Sequence, residues 1–247
     1  MSVGVRELGL LASKAVLGFL ALCAIFGGGL ARAFPEGSAP SAWLLGARTT
    51  TLTALVVTVV ALAIGLALGA AAALGPRVFD SLLSRAIEVA AAMPSVVVAL
   101  VVSRVAPAPD FLAVSITLGL LGGLQTAKIV RRELTTLLAT EFAVAARALG
   151  SGQMRLFRAH LLPHVLGTAL ASATLLAAAV VGLEAALSFL GLASLGPSWG
   201  AMIAEAALGG APTRALAPAL GVAVTLLSLY LAGSRVEGRF SVGRSFL

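Results

Sequence analysis

His160 and His164 are the residues whose type and spacing could bind a metal ion. Side chains four positions apart share one face of a regular helix, and imidazole is a frequent zinc ligand. Pro163 stands between them and no third ligand lies near in the sequence, so we predict no metal site. Both histidines also lie in a polar interval or at the edge of an apolar run. This position argues against an intramembrane serine protease, which needs a serine–histidine pair inside the bilayer.

The sequence contains no glycine-rich loop ending in Gly-Lys-Ser/Thr, the pattern that holds the phosphates of a nucleotide. If ATP drives this protein, a different chain must therefore bind the ATP. We predict that this chain has no catalytic residue and binds no cofactor of its own.

Two carboxylates fall inside long apolar runs. Glu184 lies deep in its run, where a charge in a membrane is costly. It could line a translocation path, or it could be a protonated or hydrogen-bonded residue that packs between helices; the residues alone leave both interpretations open. Glu88 lies close to the end of its run, so we interpret it as an interfacial residue that can pair with Arg85 or Arg77.

The composition is that of a membrane protein. Hydrophobic residues make up 60% of the 247 residues and charged residues 11%, with a mean hydropathy of +1.06. A soluble domain carries about 25% charged residues, so too few charges are present to cover a water-exposed surface. The net charge of +7 does not indicate a nucleic-acid partner, because the basic residues are spread over many loops and do not form one face.

The apolar runs predict an all-α, polytopic membrane protein with six transmembrane helices. A span needs about 20 apolar residues. The predicted spans are Leu8–Ala33, Thr50–Leu74, Ala86–Val105, Phe111–Val130, Val165–Leu190 and Leu216–Ala232.

Three local features of these spans carry further expectations. Pro94 lies inside the third span and is expected to kink it. The first run could instead be a cleaved signal peptide, but its apolar part is longer than a usual signal sequence, which favours a retained span. The mixed loop Gly191–Ala217 contains Trp199, a residue type that suits a membrane interface.

The distribution of Lys and Arg predicts the orientation. With a cytoplasmic N-terminus, thirteen basic residues lie on the inner side and four on the outer side, which places both termini in the cytoplasm. The inner residues are Arg6, Lys14, Arg77, Arg85, Lys128, Arg131, Arg132, Arg147, Arg155, Arg158, Arg235, Arg239 and Arg244. The outer residues are Arg32, Arg48, Arg104 and Arg214.

The polar stretch Glu141–Pro163, between the fourth and fifth spans, has the pattern of a helical hairpin. Its first part is rich in alanine, Gly150-Ser151-Gly152 supplies a turn, and a second helix is expected to begin and then be interrupted at Pro163. Gly150 is expected to end the first helix in a left-handed conformation. Arg147 could reach an acidic group on a partner or bond within the loop.

This stretch resembles the cytoplasmic "EAA" loop of permease subunits of binding-protein-dependent ABC importers. That pattern reads Glu-Ala-Ala, three residues, Gly, and later Leu-Pro; in this chain it corresponds to Val144-Ala145-Ala146, Gly150 and Leu162-Pro163. The chain departs from the pattern at Val144, where Glu would stand. In the dipeptide/oligopeptide/nickel branch the first acidic residue stands three positions earlier, as Glu141 does in this chain.

A second block resembles the same branch and extends the similarity over residues 45 to 235. It reads Glu184-Ala-Ala-Leu-Ser-Phe-Leu-Gly-Leu192, followed by Pro197-Ser-Trp-Gly200. The segment between Leu192 and Pro197 is shorter than usual in the family and lacks the paired prolines often found there.

The resemblance implies a permease subunit of an importer of peptides, nickel or related solutes in the inner membrane of a prokaryote. The implied partners are a second permease subunit, two cytoplasmic ATPase subunits that bind ATP, and an extracytoplasmic binding protein. The implied contacts with the ATPase come from a coupling helix in the hairpin. The residues that correspond to this element are Glu141, Ala145, Ala146, Arg147, Gly150, Leu162 and Pro163.

The same expectations divide the chain into an N-terminal helix with its outer loop (1–44), a transmembrane core (45–235, with the coupling loop at 131–164) and a cytoplasmic tail (236–247). The rival interpretation is a secondary transporter that works without ATPase subunits. Such a transporter needs ion or proton sites at the membrane midplane, usually built in inverted repeats. The sequence shows no convincing repeat, and Glu184 is its one deep carboxylate.

Overall fold

The computed structural model describes residues 18–35 (without 20 and 24), 38–105, 111–192 and 197–242. All regular secondary structure in these ranges is helical, which confirms the predicted all-α class. The first ten residues of the predicted first span, Leu8–Ala33, lie outside the described residues, and so does the end of the predicted tail; the described residues of the span up to position 31 are helical.

The α-helices from Ala39 onward in the described ranges are numbered in chain order. They are α1 (Ala39–Leu74), α2 (Arg77–Ala92), α3 (Ser95–Val105), α4 (Phe111–Leu138), α5 (Glu141–Ala148), α6 (Gln153–Leu156), α7 (Leu162–Phe189), α8 (Trp199–Leu208) and α9 (Leu216–Val242). A π-helical turn, Phe157–Leu161, joins α6 to α7, and a 3₁₀ turn, Pro212–Ala215, precedes α9.

Four helices of the described residues are long and apolar enough to cross a membrane. A fifth candidate span is the bent pair formed by α2 and α3. The six-span topology stays a prediction, because the first ten residues of its first member, Leu8–Ala33, lie outside the described ranges. The four single helices are Ala39–Leu74, Leu112–Leu138, Gln153–Phe189 and Pro212–Val236.

Two helices extend beyond the predicted ends of their spans. Helix α1 begins at Ala39 rather than near Thr50, and Pro40 stands in its first turn, where a missing N–H costs nothing. Helix α4 continues past Val130 to Leu138 through a charged segment. Hydropathy locates the apolar part of a span, but charged residues with good helix propensity let the helix continue beyond it.

The expected interruption at Pro163 is wrong. The chain stays helical from Gln153 to Phe189, and Pro163 is the second residue of α7. The preceding turn is π-helical, and the N–H of Leu162 bonds to the carbonyl of Phe157. Proline normally clashes with the carbonyl four residues earlier, and a widened turn at this place accommodates the ring without ending the helix.

Pro94 produces a complete break, which is a stronger effect than the predicted kink. Helix α2 ends at Ala92 and α3 begins at Ser95. Met93 has φ −82° and ψ 121°, the extended conformation that a following proline imposes on its neighbour.

The described chain divides into two compact units. The first contains the residues up to Val57, Ser95–Leu118 and Thr174–Ala232. Its core joins α1, α3, α4, α7 and α9 through small and branched apolar side chains. The fully buried members include Val57, Ala177 and Val181.

The second unit contains Thr58–Pro94, Gly119–Ala173 and the residues from Gly233. Helices α1 and α4 approach closely in it: a Cβ atom on Gly69 would lie 2.6 Å from Cγ1 of Val130, and one on Gly123 would lie 2.8 Å from Cβ of Ile64. These glycines therefore serve helix packing. The main core of this unit lies between α4, α5 and the start of α7, around Leu134, Ala143 and Val165.

Candidate functional site

The hairpin that follows α4 begins with a short connection. Only Ala139 and Thr140 separate α4 from α5. Thr140 is extended (φ −68°, ψ 152°), and its hydroxyl donates to the carbonyl of Leu137 at 2.7 Å, so it does not cap α5. Glu141 stands in the first turn of α5, where a carboxylate interacts favourably with the positive end of the helix dipole.

One face of α5 packs into the core of the second unit. Ala143 has no exposed surface, and Ala146 is half-buried against the same cluster. Alanine lets the α5 backbone lie close to its neighbours, since a larger side chain would not fit in a filled core. The packing therefore fixes which residues of α5 face outward.

The exposed surface of α5 and of the turn after it carries four of the seven predicted coupling residues, Glu141, Ala145, Arg147 and Gly150. Val144, which stands where the family pattern has Glu, is 53% exposed, and Leu149 at the tip is 87% exposed. The tip thus presents apolar surface to its surroundings. The exposed residues are Glu141, Phe142, Val144, Ala145, Arg147, Ala148, Leu149 and Gly150.

The turn at Gly150 has the conformation that the sequence predicted. Gly150 has φ +84°. Its N–H bonds to the carbonyl of Arg147, and the N–H of Ser151 bonds to the carbonyl of Ala146, both at 3.0 Å. This pair of bonds is the Schellman arrangement, which closes a helix through a left-handed residue.

Arg147 bonds within the hairpin. Its Nη2 donates to the carbonyl of Leu138 at 2.8 Å, and its Nε donates to the carbonyl of Ala143 at 3.2 Å. Leu138 is the last residue of α4, so no backbone N–H of that helix donates to its carbonyl. The sequence left open whether Arg147 reaches an acidic group on a partner or bonds within the loop. In this structure its side chain bonds within the loop.

The second arm of the hairpin runs into α7. Leu156 and Leu161 are buried in the core of the second unit, whereas Pro163 is exposed and Leu162 is half-buried. The proline of the Leu-Pro pair therefore contributes little to the core. Its effect is on the backbone, where the preceding turn is π-helical.

A cavity of about 320 Å³ lies beside the two arms. Phe142 and His160 meet there edge to face, with ring centroids 5.3 Å apart. His160 and His164 both line it, but the described residues contain no group of three His, Cys, Asp or Glu side chains arranged for a metal ion. The other lining residues are Leu137, Thr140, Ala159, Leu161 and Pro163.

An ion pair between α2 and α4 was not predicted from the sequence. Arg131 holds Asp80 with two of its donating nitrogens, and the Nη2–Oδ2 distance is 2.6 Å. The two residues are 51 positions apart, so no local pattern indicates the pair. Glu88 is exposed and, in the described part of the chain, pairs with neither Arg77 nor Arg85.

Glu184 lies in a different place, in the first unit, at a junction between α7 and α8. It is 4% exposed, and the Ser188 hydroxyl donates to its Oε1 at 3.0 Å. Ser198, whose hydroxyl accepts from the N–H of Ala201 at the start of α8, is buried as well. A Cβ on Gly200 would overlap the carbonyl of Ala185 and lie 2.9 Å from Cβ of Ser188, so the start of α8 lies directly against α7.

Trp199 is buried, which corrects its interpretation as an interfacial residue. It is 1% exposed, and its indole N–H donates to the carbonyl of Trp43 at 3.1 Å. Gly46 and Gly221 leave space for the ring, since a Cβ on either would lie within 3 Å of it. The predicted loop Gly191–Ala217 thus contains an apolar helix, α8, anchored by its first residue.

Residues 61–242 match the family model described as "Binding-protein-dependent transport system inner membrane component". The chain belongs to this family. The match spans the hairpin and the Glu184 junction, so both sites lie within the region that defines the family. It is a family of membrane transport components.

Several relatives carry names from the peptide branch. A putative peptide permease protein of Brucella ovis is 31% identical over 201 residues, which cover 79% of this chain and 66% of that protein. A putative peptide transport system permease protein of Brucella suis is 34% identical over 164 residues, covering 66% of this chain and 55% of the relative. An oligopeptide transport system permease protein of Bacillus subtilis is 28% identical over 193 residues, covering 76% and 63%.

The chain matches about two thirds or less of the length of these relatives. Together with the family match, they confirm the resemblance to ABC permeases of the dipeptide/oligopeptide branch that the residues around Gly150 and Glu184 indicated.

Proposed function

We propose that this chain is a permease subunit of an ATP-driven importer, and that its solutes are peptides. The observation that carries the proposal is the family match over residues 61–242, within which the Glu141–Pro163 hairpin is formed as a packed helix and a tight turn. The names of the relatives favour peptides over nickel and related solutes. The work of the chain is mechanical, and it performs no covalent chemistry.

The importer would contain four further components. These are a second permease subunit, two cytoplasmic ATPase subunits and an extracytoplasmic binding protein. ATP would be bound by the ATPase subunits, and this chain would hold no cofactor. Six transmembrane helices in the inner membrane would place both termini and the hairpin in the cytoplasm, in keeping with the thirteen-to-four distribution of basic residues.

The hairpin would be the coupling element. Exposed residues of α5, above all Glu141 and Ala145, would enter a groove on an ATPase subunit together with Gly150 and the apolar Leu149 of the turn that follows α5. Ala143 on the opposite face would pass the movement to the core around Leu134 and Val165. Closure of the ATPases would thereby switch the permease pair between inward-open and outward-open states.

Glu184 would act in helix packing. Its near-complete burial and its bond with Ser188 support this interpretation over a place on the solute path. The close approach at Gly200 supports it further, because the carboxyl group sits where α8 begins against α7.

Co-purification with transport assays tests the proposal against the rival secondary transporter. The chain is expressed with the genes adjacent to its own, purified through a tag and reconstituted. We expect ATPase subunits in the purified complex and uptake that requires ATP and the binding protein. Uptake by the chain alone, driven by an ion gradient, would establish the rival instead.

A further inference from the structure

The guanidinium group of Arg147 bonds to two successive helices, α4 and α5. Its donor atoms bond to the carbonyl of Leu138, at the end of α4, and to the carbonyl of Ala143, within α5. Helix α5 has eight residues and follows a two-residue connection. The packing around Ala143 holds α5 in its middle, and Arg147 adds a bond to α4 from its last turn.

An arginine suits this task better than a lysine. The guanidinium is planar and presents several N–H donors in a fixed arrangement, so one side chain can satisfy two carbonyls in different directions. Bonds from a charged donor are also stronger than neutral ones. The carbonyl of Leu138 has no hydrogen-bond donor within α4. The side chain of Arg147 donates to this carbonyl from within the same protein chain.

We propose that Arg147 is a positioning residue: it fixes α5 to the end of α4, so that a force on α5 moves the α4 span with it. Burial of Ala143 and the Arg147 bonds hold α5 at two points. The inference rests on the proposed function for its biological meaning. It changes the role of Arg147 within that function, from a contact with the ATPase to a tie inside the hairpin.

Spin labelling of the permease tests the tie directly. Labels at Ile129 on α4 and Ala148 on α5, both exposed, report the distance between the helices in a variant without the native cysteine. We expect Arg147→Met to broaden the distance distribution and Arg147→Lys to broaden it less. Arg155→Met is the matched control, because Arg155 is exposed on the other arm and should leave the distribution unchanged. A wild-type distribution in Arg147→Met would overturn the inference.

A second readout separates positioning from direct contact. In the assembled importer, Arg147→Met should retain its ATPase subunits, while transport per ATP hydrolysed falls, because a force on α5 no longer moves the α4 span with it. Arg147→Lys should recover part of the loss. Departure of the ATPase subunits with an unchanged distance distribution would show that Arg147 contacts the ATPase, which overturns the inference.

The two proposals fail separately. If Ala145→Glu keeps both its ATPase subunits and its transport, the coupling function of the hairpin fails, whereas the distance measurement on the permease still decides the role of Arg147.

Discussion

Replacing Gly150 with serine should weaken the hairpin by a cost that can be worked from the backbone. Gly150 has φ +84°, and a Cβ built there meets no atom within 4 Å. The substitution therefore creates no clash, and its cost is the strain of a left-handed residue with a side chain, about 1–2 kcal/mol. That energy raises the population of opened hairpin by a factor of about 5–30.

Gly152→Ser is the matched control. Gly152 also has free space around it, but its φ of −63° is one that serine adopts readily, and serine is a favourable residue before a helix. Gly150→Asn adds a second comparison, because asparagine tolerates the left-handed conformation better than serine.

Amide hydrogen exchange of the purified permease measures the effect. The N–H groups of Gly150 and Ser151 make the two bonds that close α5, so their exchange should speed up by about 5–30-fold in Gly150→Ser. It should speed up less in Gly150→Asn and stay near wild type in Gly152→Ser. Equal exchange in the Gly150→Ser and Gly152→Ser variants would refute the account of the turn.

The remaining predictions concern topology, the buried carboxylate and the ion pair. Single cysteines at Ser151 and at Ser198, in a variant without the native cysteine, should react with impermeant reagents from opposite sides of the membrane; labelling of both from outside would contradict the six-span arrangement. Glu184→Gln should keep assembly and transport, because a neutral isostere retains the packing and removes the cost of burying a charge; loss of transport in a normally assembled complex would favour a place on the solute path. Asp80→Asn should lower the free energy of unfolding of the permease in detergent by about 1 kcal/mol, since the ion pair is bidentate but partly exposed. In a double-mutant cycle followed by thermal unfolding, adding Arg131→Gln to Asp80→Asn should cause little further loss of stability. Full additivity of the two substitutions would mean that the ion pair contributes nothing.

Features that depend on neighbouring residues were predictable from the sequence. The helix at Glu141, its end at Gly150 and the disruption at Pro94 all follow from local backbone chemistry: alanine propensity, the freedom of glycine at positive φ, and the restriction before proline. The family motifs are likewise short patterns of neighbouring residues.

Features that depend on distant residues were not predictable. The partner of Arg131 is 51 residues away, and hydropathy ended the span near Val130 although the helix continues to Leu138. Trp199 had the type of an interfacial residue, but Gly46 and Gly221 provide space that buries it. The π-helical turn before Pro163 lies in a helical segment that packs against the core both before and after the turn. Such packing cannot be deduced from the neighbouring residues.

Retention of the ATPase subunits by an Ala145→Glu variant tests the central claim most directly. Ala145 is exposed on α5, so a glutamate there leaves the core of the permease intact while it places a charge and bulk on the surface proposed to dock. Thr213→Glu, an exposed change in the 3₁₀ turn before α9, is the control. The account predicts that purified Ala145→Glu permease inserts normally but carries few ATPase subunits and transports no peptide, while Thr213→Glu permease retains its ATPase subunits. Wild-type retention and transport in Ala145→Glu would contradict the claim that this hairpin couples the permease to its ATPase.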